Sequence, residues 1–391
     1  MTELKESLEK FLLKNKNKVQ NSHLQICMGN EACDLDSFIS SLILAHAINA
    51  IFVVNMRKDV FKSKGELIWV CEKYEINIED LIFLERPLGT FSKEAKAIGT
   101  YLLVDDKKIF ITDKSIKLIL TDHNEPIDEL KHCEIEMIID HHPLTHKISN
   151  TNKIYIDTDV GSATTLVSRY LGNDLSKKAT IVTKKLKKNK NQLCTQIASL
   201  LLIPIIVDTK FLKRRVSTYD IEEYKKLKKL SHLSKKELKN ELKNIKKARR
   251  NDQYHNTNII LLKDYKSYNS CGYNFGMSVI KYKFEKWIDR EAEIIRGFEQ
   301  NKEGLGLFCK LQSFKNDMGL DFYLVSTKIK NVRTVIILDY PFIKSLADDV
   351  GLIRNEYKGM VYYKIEVGVT RKISIPKIIE LLKKHDNLIN E

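Results

Sequence analysis

No C-x-x-C pair occurs in these 391 residues, and the seven cysteines, at 27, 33, 71, 133, 194, 271 and 309, are odd in number and scattered. That pattern indicates neither a zinc knuckle nor a disulfide framework, and a reducing compartment is expected. Long apolar runs are also lacking: the greasiest stretch, Ile197 to Val207, is far short of a membrane span and ends in Asp208. The start, MTELKESLEKFLLKNKNK, mixes Glu with Lys, without the apolar centre of a secretory signal or the acid-poor character of a transit peptide. A soluble cytoplasmic protein with no membrane partner is expected. Aromatic residues make up only 8%, and most Tyr and Phe lie inside apolar runs rather than alternating with Lys. Combined with a formal net charge of +15, this predicts a phosphate-rich anionic partner rather than single-stranded nucleic acid, which needs stacking platforms.

The length suits two domains. In the first half, short apolar runs at Leu24 to Met28, Ile51 to Val54, Leu81 to Leu84, Tyr101 to Val104, Ile116 to Leu120, Ile135 to Ile139 and Leu200 to Val207 read as strands. Helical patterns at Asp36 to Ala50 and Gly161 to Leu171 alternate with them, a rhythm that predicts an α/β fold with a mostly parallel, helix-covered sheet. The first domain is expected over 1–222. Residues 223–251, rich in Lys and Leu, read as a solvated helical linker, and Lys177 to Lys190 as a basic surface insertion. A smaller α/β domain follows over 252–391, with strands at Ile259 to Leu262, Asp321 to Val325 and Val335 to Leu338 and a closing helix through ISIPKIIELLKK. No internal repeat is present.

What the chain does have is a series of acidic and imidazole groups, each just after an apolar run: Asn30, Asp34 and Asp36; Asp122; Asp140, His141 and His142; and Asp208. Strands of an open α/β sheet would gather these groups at neighbouring carboxyl ends. So many anions in one place require a positive partner, and a pair of divalent cations supplies it. Asp34 and Asp36, two apart on a turn, can each face one of two ions, although a D-x-D alone is as often a helix cap. Asn30 can add a neutral oxygen ligand or hold a substrate oxygen. Asp122 could bridge both ions, with His123 and Asn124 as its outer hydrogen-bonding neighbours. Asp105 and Asp106 also follow an apolar run and form a weaker rival. Of the two adjacent imidazoles, one can bind metal while the other gives a proton or hydrogen bond to phosphate. Asp208, closing an entirely apolar run, would be costly without a cation or strong donors. Gly161 and Ser162 read as a structural helix start. Together these residues predict a two-metal phosphohydrolase.

These residues resemble the DHH phosphoesterase superfamily, in its branch with the second type of associated C-terminal domain, to which family II inorganic pyrophosphatases, cytosolic exopolyphosphatases and prune proteins belong. GNEACDLDS looks like the first family motif, LTDHN the second, IIDHH the third, and VDT with the later Thr218 and Asp220 the fourth. DYKSY (264–268), FGMS (275–278) and TRK (370–372) are similar to substrate-binding motifs of the associated domain. Asn30 stands where pyrophosphatases usually carry His, and His142 is kept where animal prune proteins typically have Arg, which together favour the exopolyphosphatase type. The GGGH-type motif of nucleases in this superfamily is absent.

The resemblance implies Asp34 on one ion, Asp36, His141 and Asp208 on the other, and Asp122 shared. It implies Mg²⁺ or Mn²⁺, with Co²⁺ as a further candidate, in an oxygen-rich site. A water between the ions would attack the terminal phosphorus in line, and His142 and Asn30 would serve the reacting centre. Lys266, Arg371 and Lys372, with Arg57 as a weaker candidate, would hold the phosphates in a cleft between the domains. Release of orthophosphate from polyphosphate ends by a monomeric enzyme is thus the leading expectation. The alternatives are a pyrophosphatase or short-chain polyphosphatase, a prune-like cyclic nucleotide phosphodiesterase, and, further off, a DHH nuclease or a non-catalytic binding protein.

Overall fold

The alternating rhythm of the first half is realised in the computed structural model, which describes residues 7–87, 99–112, 114–144, 151, 153–182, 189–296, 305–329, 332–341, 345–346, 348, 351–366 and 371–390. Two compact units emerge, one built on residues up to 86 and 100–249, the other centred on 250–391. In chain order the first unit contains α1 (Leu8–Lys18), β1 (His23–Met28), α2 (Leu35–Ile48), β2 (Ile51–Phe52), α3 (Lys58–Ser63), α4 (Gly65–Lys73), β3 (Phe83–Glu85), β4 (Tyr101–Val104), β5 (Lys107–Phe110), β6 (Ser115–Thr121), β7 (Glu134–Asp140), β8 (Ile154–Ile156), α5 (Ala163–Val182), α6 (Asn189–Asp208), α7 (Thr218–Ser231) and α8 (Lys235–Ala248). Its main sheet has the order β2-β1-β6-β7-β8, with every pairing parallel. The chain leaves β1 towards β2 on one side and returns to β6 on the other, so a topological switch point lies between β1 and β6. Open α/β sheets place ligands at the strand ends beside such a point.

A small antiparallel sheet, β3-β4-β5, adjoins the main one, where Val54, just past β2, bridges in parallel to Phe83 of β3. The segment after Val104 is the exposed strand β5. Asp105 and Asp106 are its hairpin turn, both with positive φ (47° and 61°), as a tight two-residue turn requires. Their carboxylates pair with Lys16 and Lys58, which accounts for them without a metal.

Three expectations are corrected. Leu200 to Val207 is the last part of helix α6 and not a strand; Ile197 to Ile206 is buried throughout. A helix buried on every side reads as a continuous apolar run, which periodicity cannot separate from a central strand. Ile259 to Leu262 is likewise helical, for the same reason. The 223–251 segment is helical as expected but not solvated throughout: it falls in α7 and α8, each opened by a capping box, Ser217 with Asp220 and Ser234 with Glu237. Leu227, Leu238 and Ile245 are buried, and Glu241 is buried against Lys73 (2.6 Å) and the Tyr74 hydroxyl (3.1 Å). The basic 177–190 stretch lies partly outside the described residues.

The second unit comprises α9 (Thr257–Leu262), β9 (Tyr265–Ser270), β10 (Tyr273–Ile280), α10 (Phe284–Arg296), α11 (Leu305–Asp317), β11 (Phe322–Ile329), β12 (Val332–Leu338), β13 (Ile353–Tyr357), β14 (Met360–Glu366) and α12 (Arg371–Asn390). Its sheet runs β13-β14-β12-β11-β10-β9, with β10 and β11 parallel and the rest antiparallel. One face packs on Trp287, Leu307 and Phe314 of α10 and α11, the other on Ile375, Ile378 and Leu382 of α12. Among the described residues, no helix is long and apolar enough to cross a membrane.

Because Leu238 is fully enclosed, Leu238→Ala should lower unfolding free energy by about 3 kcal/mol. Denaturant unfolding of the two proteins measures it. A solvated linker would give a change within about 0.5 kcal/mol.

Candidate metal centre

The turn after β1 can close only because residue 29 is glycine: a Cβ there would lie 2.6 Å from the Ser37 carbonyl oxygen. The close approach brings α2 in end-on. Asp34 is its N-cap, accepting from the amides of Asp36 (3.0 Å) and Ser37 (3.1 Å) through one oxygen. The cap reading of this D-x-D is thus met at Asp34, which remains exposed and whose charge acts on the neighbouring carboxylates. Asp36, in the first turn and buried, accepts from Ser162 Oγ (2.7 Å) and from the amides of Ala163 (2.6 Å) and Thr164 (2.9 Å). Those donors are the N-terminus of α5, where free amides and the helix dipole favour an anion.

Asp122 follows β6 with a left-handed backbone, φ 60°, which is strained for a non-glycine residue. Its amide donates to Ile139 (3.0 Å), and the Asn30 side-chain amide donates both to its carbonyl (3.1 Å) and to Oδ2 (2.8 Å). Ser37 Oγ donates to the same Oδ2 at 2.5 Å. Asn30 spends its own oxygen on the Cys33 amide (3.1 Å), so here it braces Asp122 rather than offering a ligand oxygen.

At the end of β7 the two imidazoles take different roles. His141 hydrogen-bonds through Nδ1 to the Val160 carbonyl (3.0 Å) and turns Nε2 towards Asp122 (3.2 Å) and Asp36 (3.8 Å). His142 is 43% exposed and pairs through Nδ1 with the fully buried Asp140 (2.9 Å), whose other oxygen accepts from Asn124 (2.7 Å). One ligand atom each from Asp122, His141 and His142 lies within 4.8 Å of the others. His123 hydrogen-bonds the Thr121 carbonyl (2.8 Å) and touches no candidate ligand among the described contacts.

Asp208 ends α6, where the helix dipole is unfavourable to an anion. Although part of its surface stays open, burial first, and then the charges of Asp36, Asp34 and Asp122, hold its carboxyl well above the usual range, with Arg249 opposing. Burial also raises Asp36, opposed by His141 and reinforced by Asp34. Asp122 is pushed up to about 7 by burial and then by the Asp36 charge. For His141 burial works the other way, but the Asp122 hydrogen bond and the Asp36 charge outweigh it and lift the ring to about 10. Asp34, Asp36, Asp122, His141 and Asp208 therefore act on one another electrostatically. Carboxylate oxygens and one imidazole, short of positive charge, are a donor set that fits hard divalent cations.

The phosphate-binding candidates have other surroundings. Arg57 forks onto Asp59 (3.1 and 2.7 Å) at the start of α3. Arg371 opens α12 and donates to the Asp264 carbonyl (3.1 Å) and carboxylate (2.8 Å). Lys266 lies on β9 opposite Met277, and the Lys372 side chain lies outside those described. Three contributors were not singled out as chemistry by sequence: Ser37 and Ser162, which touch Asp122 and Asp36, and Asp220, which accepts from the Gly161 amide (2.9 Å) and Thr165 Oγ1 (2.6 Å) and so fixes the start of α5. For Ser37 the signal was its place directly after the D-x-D.

The charge shortage has a sign that can be tested. Asp122 holds its proton more tightly folded (about 7) than at its ordinary 3.8, so the stability it gives is full below 3.8 and is lost as pH rises through 7. His141, at about 10 against 6.5, gives stability that is full below 6.5 and lost as pH rises through 10. The melting temperature of EDTA-treated protein should fall as pH rises across these two windows, and Mg²⁺ or Mn²⁺ should restore it at pH values above 7. A flat pH profile with no response to either ion would contradict this account.

Comparison with known proteins identifies the family. The DHH family, N-terminal domain, matches residues 25–205, and the DHHA2 domain matches residues 243–381. Over 318 residues the chain is 22% identical to exopolyphosphatase PRUNE1 of Rattus norvegicus, covering 78% of this chain and 62% of that protein, so it spans less than two thirds of that relative's length. A Methanococcus jannaschii structure assigned to the family II inorganic pyrophosphatases superposes with a TM-score of 0.57 at 18% identity, over 92% of this chain and 99% of that one, a likeness of fold. With both domains present in this order, the chain belongs to the DHH phosphoesterase superfamily, in the branch that carries a DHHA2 domain.

Proposed function

We propose that this chain is a metal-dependent exopolyphosphatase that releases orthophosphate from the ends of inorganic polyphosphate, with water as nucleophile. The observation that carries this reading is the convergence of the Asp122 and Asp36 carboxylates on His141 Nε2 (3.2 and 3.8 Å), with His142 alongside. In the proposal Asp34 holds one divalent cation, Asp36, His141 and Asp208 hold a second, and Asp122 serves both; Mg²⁺ and Mn²⁺ suit the oxygen-rich set, with Co²⁺ as a third candidate. When bound, such cations supply Lewis acidity and neutralise phosphate charge.

The chain's own residues do the rest. Asn30 and Ser37 hold the strained Asp122 in place. Asp140 fixes the His142 ring through Nδ1, leaving Nε2 as the nitrogen for a phosphate oxygen on the leaving side. Lys266, Arg371 and Lys372 supply donors to the phosphate chain. Arg371 already donates one N–H to the Asp264 carboxylate and another to its backbone carbonyl. The net charge of +15 attracts a polyanion at long range.

Pyrophosphate or another short chain as substrate is the second reading, favoured by the fold likeness to a protein assigned as a pyrophosphatase. Phosphate release from defined-length polyphosphates, pyrophosphate, cyclic AMP and a short oligonucleotide, with each metal in turn, decides between them. Long chains should be the fastest. Asp122→Asn should cut release by about 100-fold or more while the fold persists, and unchanged release would reject the metal assignment. Asn30→Ala should weaken metal affinity by about 10-fold, read by metal titration.

A further inference from the structure

Four cations follow Asp208 within eight residues, and the metal centre uses none of them. Lys210, Lys213, Arg214 and Arg215 are all exposed, and among the described residues none of the four pairs with an acid. The next acids along the chain are already taken: Asp220 accepts from the Gly161 amide and Thr165, and Glu222 from Arg169 (3.1 Å). Positive charges crowded in this way repel one another until an anion joins them.

The loop that carries them is braced from within. Lys210, Phe211 and Leu212 have left-handed backbones (φ 48°, 61° and 60°), as does Arg215 (49°), conformations that such residues keep only where their surroundings impose them. Here the Thr209 carbonyl accepts from the amides of Lys213 (2.8 Å) and Arg214 (2.9 Å), Thr209 Oγ1 from Leu212 (3.0 Å), and the Ile206 carbonyl from Phe211 (2.8 Å). With those amides spent, the loop has cationic side chains to offer. Its backbone also presses on the start of α5, since a Cβ on Gly161 would lie 2.2 Å from the Arg215 carbonyl oxygen and 2.7 Å from Thr209 Cγ2. Flanking that glycine are Val160, which anchors His141, and Ser162, which holds Asp36. The basic loop therefore borders the candidate metal centre inside the first unit.

We propose that Lys210, Lys213, Arg214 and Arg215 form a landing site for an inorganic polyphosphate chain, holding phosphoryl units remote from the bond that is cleaved. The choice of ligand rests on the phosphohydrolase reading above. A single-stranded nucleic acid fits less well, because it needs open ring faces on which to stack its bases. Phe211 packs against Tyr224 at 6.0 Å, and Arg169 covers the Tyr219 ring at 3.7 Å. Such a site sets a chain-length preference: long chains engage it, whereas both phosphoryl groups of pyrophosphate are held at the cleaved bond.

The test compares the full chain carrying Lys213→Gln, Arg214→Gln and Arg215→Asn, asparagine being at ease in a left-handed backbone, with a charge-matched control. The control is Lys235→Gln, Lys236→Gln and Lys239→Gln, on the exposed face of α8. With Mg²⁺, KM for long-chain polyphosphate should rise about tenfold in the loop variant and stay within about twofold in the control, while KM for pyrophosphate moves less than about twofold in both. The slope of log KM against log salt concentration should shrink by about one for each loop charge that contacts the chain. Titration in EDTA with labelled long-chain polyphosphate, and separately with a single-stranded oligonucleotide, reads binding without turnover. Polyphosphate binding that is lost in the loop variant supports the proposal; tighter oligonucleotide binding lost in the same variant makes the loop a nucleic-acid site and overturns it. Wild-type KM and binding in the loop variant, or an equal loss in the control, also overturn it. If the triple variant fails to fold by circular dichroism, Lys213→Gln with Arg214→Gln, which leaves the left-handed positions untouched, decides. Absence of polyphosphate hydrolysis would instead remove the functional reading, and the EDTA titration would still decide the site.

Discussion

Repulsion among Asp34, Asp36, Asp122 and Asp208 is the interaction that the first unit is arranged to withstand. Two unit charges 4 Å apart interact by about 4 kcal/mol at an effective dielectric of 20, so several together would rival the whole stability of a domain. The fold meets this by aiming donors at them. Asp34 receives the first amides of α2, Asp36 the first amides of α5, and Asp122 two side-chain donors and an imidazole. Asp208 has the opposite setting, at a helix C-terminus, and it is one of the groups pushed well above its usual range. That contrast locates where positive charge is most lacking.

Such aiming needs backbones to come unusually close. Residue 161 is the tightest case: a Cβ there would meet the Arg215 carbonyl oxygen at 2.2 Å. Only glycine lets the start of α5 lie against that segment, and Asp220 then locks it through the Gly161 amide while also capping α7. The Asp36 donors are therefore set by a residue more than fifty positions further along the chain. The left-handed Asp122 backbone is held in the same way, from outside, by Asn30 and by the Ile139 carbonyl. Neither strain nor close approach would persist without these braces.

The groups that end β-strands of the parallel sheet were legible in the sequence, because a strand's carboxyl end converts chain position into spatial position. Asn30, Asp122, His141 and His142 belong to this class, and Asp34 and Asp36 open the helix that follows β1. Asp208 was placed on the wrong element, since burial on all sides erases the difference between helix and strand. The Lys-rich segment misled for a related reason. Its polar face dominates the composition, while α8 needs only Leu238, Glu241 and Ile245 to bury its inner face.

Asn30 makes the trade between protons and cations concrete. Both Asp122 oxygens already have donors, Oδ2 from Asn30 and Ser37 and Oδ1 facing His141 Nε2. The imidazole is lifted to about 10 because it acts as a cation for Asp122 and Asp36. Any divalent ion that binds these carboxylates must take over this duty, so the His141 proton has to leave before its Nε2 can become a ligand. The amide bonds from Asn30 need not break, since they hold the carboxylate from the side and from its own carbonyl. A residue that braces without carrying charge lets Asp122 exchange a proton-borne partner for a metal without moving its backbone, and this is what a neutral amide at position 30 offers that a second imidazole would not.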